Sequence, residues 1–311
     1  MDKRTRGGFV SQTAEIVRDR HGPGLYKLRC NVPVEGGPRF ATIWRSNLGI
    51  GKARILRMPR IDLNADVGEG SFNNGTDSDA QLLPFVTSVN VACGFHAGSP
   101  GIIHQTVQRA AALGISIGAH PSYPDRAGFG RRFLDASPDE IYCDVLYQIG
   151  TVAAFCRAAG VPLRHVKPHG ALYNHAATNR VSASAIVGAV RSYDPRLMLY
   201  APPGSTLFQV AVSEGLCAIA EVFADRAINA NGTLVSRGIP GAVLADPAAV
   251  ARRAVRMVLE HRATAIDGTE VTMTGDTICL HGDALDATTR VQAVRVALEA
   301  AGITLAAPSS T

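Results

Sequence analysis

The sequence has no apolar run approaching the ~20 residues that cross a bilayer, and no hydrophobic stretch with a small-residue cleavage site near Met1. The expectation is a soluble, cytoplasmic protein with no membrane partner. Its six cysteines, Cys30, Cys93, Cys143, Cys156, Cys217 and Cys279, form no C-x-x-C pair. That argues against a zinc knuckle or disulfide framework and suits a reducing compartment. No Lys/Arg stripe with interleaved aromatics runs through the body of the chain, so a nucleic-acid partner has little support. No G-x-G-x-x-G or P-loop follows the first strong strand, so this chain offers no ready-made phosphate cradle of its own.

What is present is unevenly spread. The 311 residues carry a net charge of +5, yet residues 1–60 hold 13 Lys and Arg against 4 Asp and Glu, while residues 61–311 hold 18 against 22. The basic character belongs to the front, which lacks sustained periodicity and is rich in Arg and Gly. Residues 1–57 are expected to be an extension, disordered or upstream of the true start, because Met58-Pro59-Arg60 directly precedes the first strong strand. Residues 58–311, within a chain that is 46% hydrophobic, hold enough material for a single large α/β domain.

Polar groups recur where apolar, strand-like runs end. Ile61 to Asp66 alternates with period two and stops at Val67-Gly68-Glu69-Gly70, which puts Asp62, Asn64 and Asp66 on one face. Ser88 to Ala92 runs into Cys93-Gly94-Phe95-His96, and Ile115 to Ala119 into His120-Pro121. Leu163 to Val166 runs into Lys167-Pro168-His169-Gly170, and Thr277 to Leu280 into His281-Gly282-Asp283. Cys217 to Val222, which includes Glu221, leads to Asp225-Arg226. Cys93 reads as a packing residue rather than a nucleophile, since reactivity needs a depressed pKa. The segment from His120 through Gly128-Phe129-Gly130-Arg131-Arg132 reads as a mobile cover whose guanidiniums hold a carboxylate or phosphate.

Between these runs lie helical stretches with clear punctuation. One runs from about Pro100 to Leu113 and stops at Gly114; another runs from Pro138 to about Ala159, with Ser137 and Glu140 as a capping box and Gly160 as the stop. Further helices are expected at Val181–Arg191, after Ser205, at Pro247–His261 and at Ala287–Ala301, with a long irregular insertion over 228–247. Strand-helix alternation over about seven units leaves a barrel or an open doubly wound sheet. Polar groups at nearly every strand exit favour the barrel, whose catalytic groups stand at the C-terminal ends of several strands.

The stretches Asp62 to Glu69, Asn90 to Gly98, Gly118 to Pro121, Val166 to Asn174, Phe223 to Arg226 and Cys279 to Asp283 resemble the LamB/YcsF family, the A component of bacterial 5-oxoprolinase, in the family's order. The resemblance covers about Pro59 to Leu305. It implies an incomplete, TIM-like (β/α) barrel of the glycoside hydrolase and deacetylase type. It further implies ATP-dependent opening of the 5-oxoproline lactam to glutamate with partner subunits B and C, which phosphorylate the lactam oxygen and carry the ATP site. Ser99, Ile228 and Asn231 depart from the family pattern and bear on the choice of substrate more than on reaction class.

Opening a lactam needs an activated carbonyl, a base and a donor for developing charge. The expected catalytic set is Asp66, Glu69, His96, His120, Lys167 and His169: a carboxylate with His96 or His120 activates water, and Lys167 with His169 stabilises charge. Asn64, Arg126, Arg131, Asn174, Asp225, Arg226, His281 and Asp283 are the expected substrate contacts. A different enzyme reading makes Asp66, His96, His120 and His169 ligands of a divalent metal for hydrolysing another small amide, although no H-E-x-x-H spacing demands it. A third makes the chain a non-catalytic component that only binds substrate.

Overall fold

Period-two alternation at the start of the catalytic stretch becomes a strand whose two faces have different fates. The computed structural model describes residues 14–18, 26–30, 58–70, 75–280 and 287–309. The chain divides into Met1–Met58 and Pro59–Thr311. In the first unit the strands Ala14–Arg18 and Tyr26–Cys30 pair antiparallel, Ala14 opposite Cys30. The rest of the expected extension lies outside the described residues.

In the second unit the strands that form the ring are β1 (Arg60–Val67), β2 (Ser88–Ala92), β3 (Ser116–His120), β4 (Leu163–Val166), β5 (Met198–Ala201), β6 (Cys217–Phe223) and β7 (Thr277–Leu280), and Arg262–Thr264 pairs antiparallel with Glu270–Thr272 apart from it. Each pairs parallel with the next, and β7 returns to β1 with Thr277 opposite Asp62 and Leu280 opposite Ala65. The ring is one strand short of the usual eight, as expected, and is nonetheless closed. A two-residue strand, Thr304–Leu305, pairs with the first residues of β1.

The helices are α1 (Gly75–Leu82), α2 (Pro100–Ala112), α3 (Pro138–Ala158), α4 (Gly170–Ala176), α5 (Arg180–Tyr193), α6 (Thr206–Ser213), α7 (Pro247–Glu260) and α8 (Ala287–Ala300). Their starts obey capping chemistry. Ser99, Asn179, Ser205 and Asp246 accept backbone N–H bonds ahead of α2, α5, α6 and α7, and Ser137 with Glu140 forms a reciprocal box on α3. Helix α4 is not among the expected helices: Leu172, Tyr173 and Ala176 are buried on one side of a short helix that has His169 at its N-cap.

The apolar core lies outside the ring. Leu63, Ala65 and Val67 of β1 join Ile103 and Val107 of α2, Ile149 and Val152 of α3 and Ile186 and Val190 of α5 in one buried cluster. The opposite faces carry polar groups into the lumen, where most of them bond to one another, although His165 Nδ1 has no partner among the described residues. Asp62 accepts from Thr87 at 2.5 Å, Thr277 at 2.6 Å, Ser88 at 2.7 Å and Tyr200 at 3.1 Å. Burial still raises its pKa above the usual carboxylate range despite these four donors. One layer up, Asn64 donates to Thr277 at 2.7 Å and Glu221 at 3.1 Å and accepts from Asn90 at 2.8 Å. His165 donates to Asn90 at 2.8 Å and stacks on Tyr200, its ring centre 4.2 Å away. Gly118 makes the room: a Cβ there would stand 2.2 Å from the His165 ring.

Candidate active site

The layer above these groups is the C-terminal rim, and the first four strands build most of it. Asp66 ends the inward row of β1, and Glu69 follows Gly68, whose positive φ of 72° turns the chain after the strand. His120 is the last residue of β3. His96 comes from the loop after β2, Lys167 directly follows β4, and His169 sits two residues on. All six predicted catalytic residues come together here, from positions spread over 104 residues of chain.

Two linked groups result. In the first, the Lys167 ammonium lies 2.9 Å from Asp66 Oδ1 and 2.8 Å from Glu221 Oε1, with Cys279 Sγ at 3.0 Å. Burial alone would lower the Lys167 pKa, but Asp66, Cys279 and Glu221 hold it well above the ordinary value. Glu221 Oε2 also accepts the Tyr173 hydroxyl at 2.7 Å, and Asn90 donates to Asp66 Oδ1 at 2.8 Å. The ammonium is thus enclosed by protein groups, in contrast to the expectation that it faces developing charge on substrate.

In the second group, Glu69 Oε1 stands 3.1 Å from His96 Nε2, 3.3 Å from His169 Nδ1 and 3.8 Å from His120 Nε2. His120 Nε2 is also 2.9 Å from His169 Nδ1 and 3.3 Å from Asp66 Oδ2, which joins the two groups. The His96 and His169 rings stack in parallel, centres 3.8 Å apart. Burial, then the neighbouring His120, push His96 down to about 2, and burial with His96 and His120 puts His169 well below the ordinary imidazole value. Burial would lower His120 as well, but the Asp66 carboxylate outweighs it and leaves this pKa raised.

The segment after His120 roofs the histidines and is firmly tied. Asp125 is ion-paired with Arg132, which holds its carboxyl down at about 2, and also accepts from Gly128 N–H at 2.9 Å. The Gly130 carbonyl accepts from Ala171 N–H at 2.9 Å. Phe129 has φ 55°, sets its ring edge-on to His96 and His169, and offers its carbonyl to His169 Nε2 at 2.9 Å. A Cβ at Gly130 would come within 2.9 Å of both histidines.

The expected substrate contacts are distributed differently. Asn64 lies in the lumen, engaged as above. Arg126 donates to the Gly94 and Gly98 carbonyls at 2.8 and 2.6 Å, pinning the His96 loop. Arg226 is buried and donates to Val235 and Ala242 carbonyls at 2.6 and 3.2 Å, securing the 228–247 insertion beside buried Asp225. Asn174 is exposed on α4. Arg131 is exposed, its guanidinium 4.8 Å from the centre of the Phe129 ring. His281 and Asp283 lie outside the described residues.

Tyr173, Cys279, Asn90, Ser122 and Phe129 belong to this arrangement although their local sequence does not mark them for it, and Glu221 reads in sequence only as an acid near Asp225. Inward alternation along β2, β6 and β7 is the available signal for Asn90, Glu221 and Cys279. Cys93 is buried, donates to Val91, and has its thiol pKa pushed up by burial, consistent with a packing residue.

Comparison with known proteins places this geometry among relatives. The LamB/YcsF family model matches residues 61–311. The chain is 49% identical over 251 residues to the 5-oxoprolinase A component of Symbiobacterium thermophilum, covering 81% of this chain and 96% of that one. It is 52% identical over 250 residues to one of the 5-oxoprolinase A components of Pseudomonas syringae pv. tomato, covering 80% and 97%. The crystal structure of a lactam utilization protein from Thermus thermophilus superimposes with a TM-score of 0.76 at 47% identity, covering 80% of this chain and all of that one.

Proposed function

The chain belongs to the LamB/YcsF family, and from that premise we propose that it opens the lactam of 5-oxoproline to glutamate, in an ATP-consuming reaction shared with partner subunits B and C. The observation that carries the proposal is the convergence of Asp66, Glu69, His96, His120 and His169 at the C-terminal rim of the barrel. The activity is assigned to residues 58–311, with residues 1–57 an extension outside the catalytic domain. Among the described residues no helix is long and apolar enough to cross a membrane, and we place the reaction in the cytoplasm.

The chemistry follows from the amide. Water adds to the lactam carbonyl carbon, the C–N bond breaks, and the ring nitrogen takes a proton to become the amino group of glutamate. An amide carbonyl is a poor electrophile, so ATP, bound by the partner subunits, first transfers its γ-phosphoryl group to the lactam oxygen and leaves as ADP. The phosphoryl group departs as inorganic phosphate as the carboxylate forms. This chain supplies the base and the orientation. Asp66 is the base: Lys167 and Asn90 fix Oδ1, and Oδ2 faces the histidines. Glu69 and the three imidazoles hold the attacking water, and Arg131 at the exposed edge receives the substrate carboxylate.

The test is glutamate release from 5-oxoproline and ATP by purified subunits B and C, with this chain, without it, and with Asp66→Asn. Glutamate is expected only with the chain present, and Asp66→Asn is expected to slow turnover by about 10²–10⁴-fold. Equal glutamate without the chain would overturn the function; unchanged turnover by the variant would remove Asp66 from its role.

A further inference from the structure

The hydrogen bonds on the far side of each rim histidine decide where its proton sits. His120 Nδ1 lies 2.7 Å from the Lys167 carbonyl, which only accepts, so Nδ1 carries hydrogen. His169 Nε2 lies 2.9 Å from the Phe129 carbonyl and is a donor by the same logic. His96 Nδ1 lies 2.8 Å from Ser122 Oγ, whose own hydrogen goes to the Tyr123 carbonyl at 2.9 Å, so this ring nitrogen donates too. In the neutral rings the lone pairs therefore fall on His96 Nε2, His120 Nε2 and His169 Nδ1. Each of those three atoms lies within 3.8 Å of Glu69 Oε1, and one ligand atom from each of the four residues lies within 4.8 Å of the others.

From this convergence we infer that Glu69, His96, His120 and His169 form a binding site for one divalent transition-metal ion. Three imidazoles and one carboxylate suit zinc, iron or nickel, whereas magnesium and calcium take oxygen ligands. Metal–ligand bonds of about 2.1 Å place neighbouring ligand atoms about 3.0–3.4 Å apart. Four of the six separations, 2.9, 3.1, 3.3 and 3.8 Å, surround that range, and all six fall within 4.8 Å. Lys167, Phe129 and Ser122 are the outer partners that fix each ring, an arrangement a catalytic base alone does not need. Asp66, counted among the ligands on sequence grounds, is replaced by Glu69: its Oδ1 is held by Lys167 and Asn90 beside the site.

The test uses the full chain without a histidine tag, stripped with a chelator, dialysed, and titrated with Zn²⁺ by calorimetry and with Co²⁺ by visible absorption. One ion per chain is expected, with a rise in thermal midpoint on adding Zn²⁺. His96→Ala and His169→Ala are each expected to weaken Zn²⁺ binding by at least about 100-fold. Ser122→Ala keeps all four ligands and is expected to cost about 10–100-fold. His104→Ala, exposed on α2, should bind as the parent does. Circular dichroism checks that each variant is folded; if the histidine variants fail to fold, the Ser122→Ala affinity decides. Uptake far below one ion per chain, or equal binding by the parent, the histidine variants and Ser122→Ala, would overturn the site. Metal uptake and glutamate release fail independently. A metal-free chain that opens the lactam removes the metal and leaves the proposed function standing, whereas a metal-binding chain without turnover does the reverse.

Discussion

Lys167 shows how much one side chain can hold in place. Its ammonium is shared between Asp66 and Glu221, both buried, and Asp66 in turn faces His120. Lys167→Met removes the cation and leaves two buried carboxylates facing each other. The expected loss of stability is about 3–5 kcal/mol, read from denaturant midpoints, with glutamate release falling as Asp66 loses its anchor. A variant as stable as the parent would show that the carboxylates find other donors. At this scale the sequence is readable where polar residues interrupt apolar runs, which is why all six rim residues can be named from it. It is unreadable where a role depends on who stands opposite. Nothing local to Lys167 says that two acids from different strands will enclose it, and nothing local to Arg126 or Arg226 says that backbone carbonyls will take their guanidiniums.

Elements are legible in proportion to their punctuation. Pro100, Pro138 and Pro247 open helices within a residue or two of where their signals put them, because a cap and a proline are local chemistry. Helix α4 is hidden by its brevity and by the Pro-His-Gly preceding it. Strand β3 carries a demand invisible in its own sequence: Gly118 is needed not for an unusual φ but because the His165 ring of β4 occupies the place of its side chain. Gly118→Ala is expected to lower the unfolding free energy by about 1–3 kcal/mol through overpacking. Double substitution with a smaller residue at 165 should recover part of it, and equilibrium denaturation of the single and double variants measures both. No loss in the single variant would mean that β4 can move aside.

For the molecule as a whole, the alternation of β1 already implies a barrel with polar residues inside, but not how it closes, since the β7 to β1 pairing joins residues 215 apart. Closure encloses His165, whose pKa burial depresses to about 3. The unfolded chain binds a proton at that histidine below about pH 6.5, and the folded chain does so only near 3. Stability therefore declines as pH falls from about 6.5 toward 3, with buried His96 contributing in the same sense. Denaturant midpoints across about pH 4–7 are expected to slope downward on the acid side, less steeply in His165→Gln; an unchanged slope would exclude His165 as a source. The interlocked lumen also constrains descent. Asn90 bonds at once to Asn64, Asp66 and His165, drawn from β1 and β4. A lineage can exchange such a residue without harm only through linked changes on several strands, so the interior drifts as a block while exposed helix faces drift one position at a time.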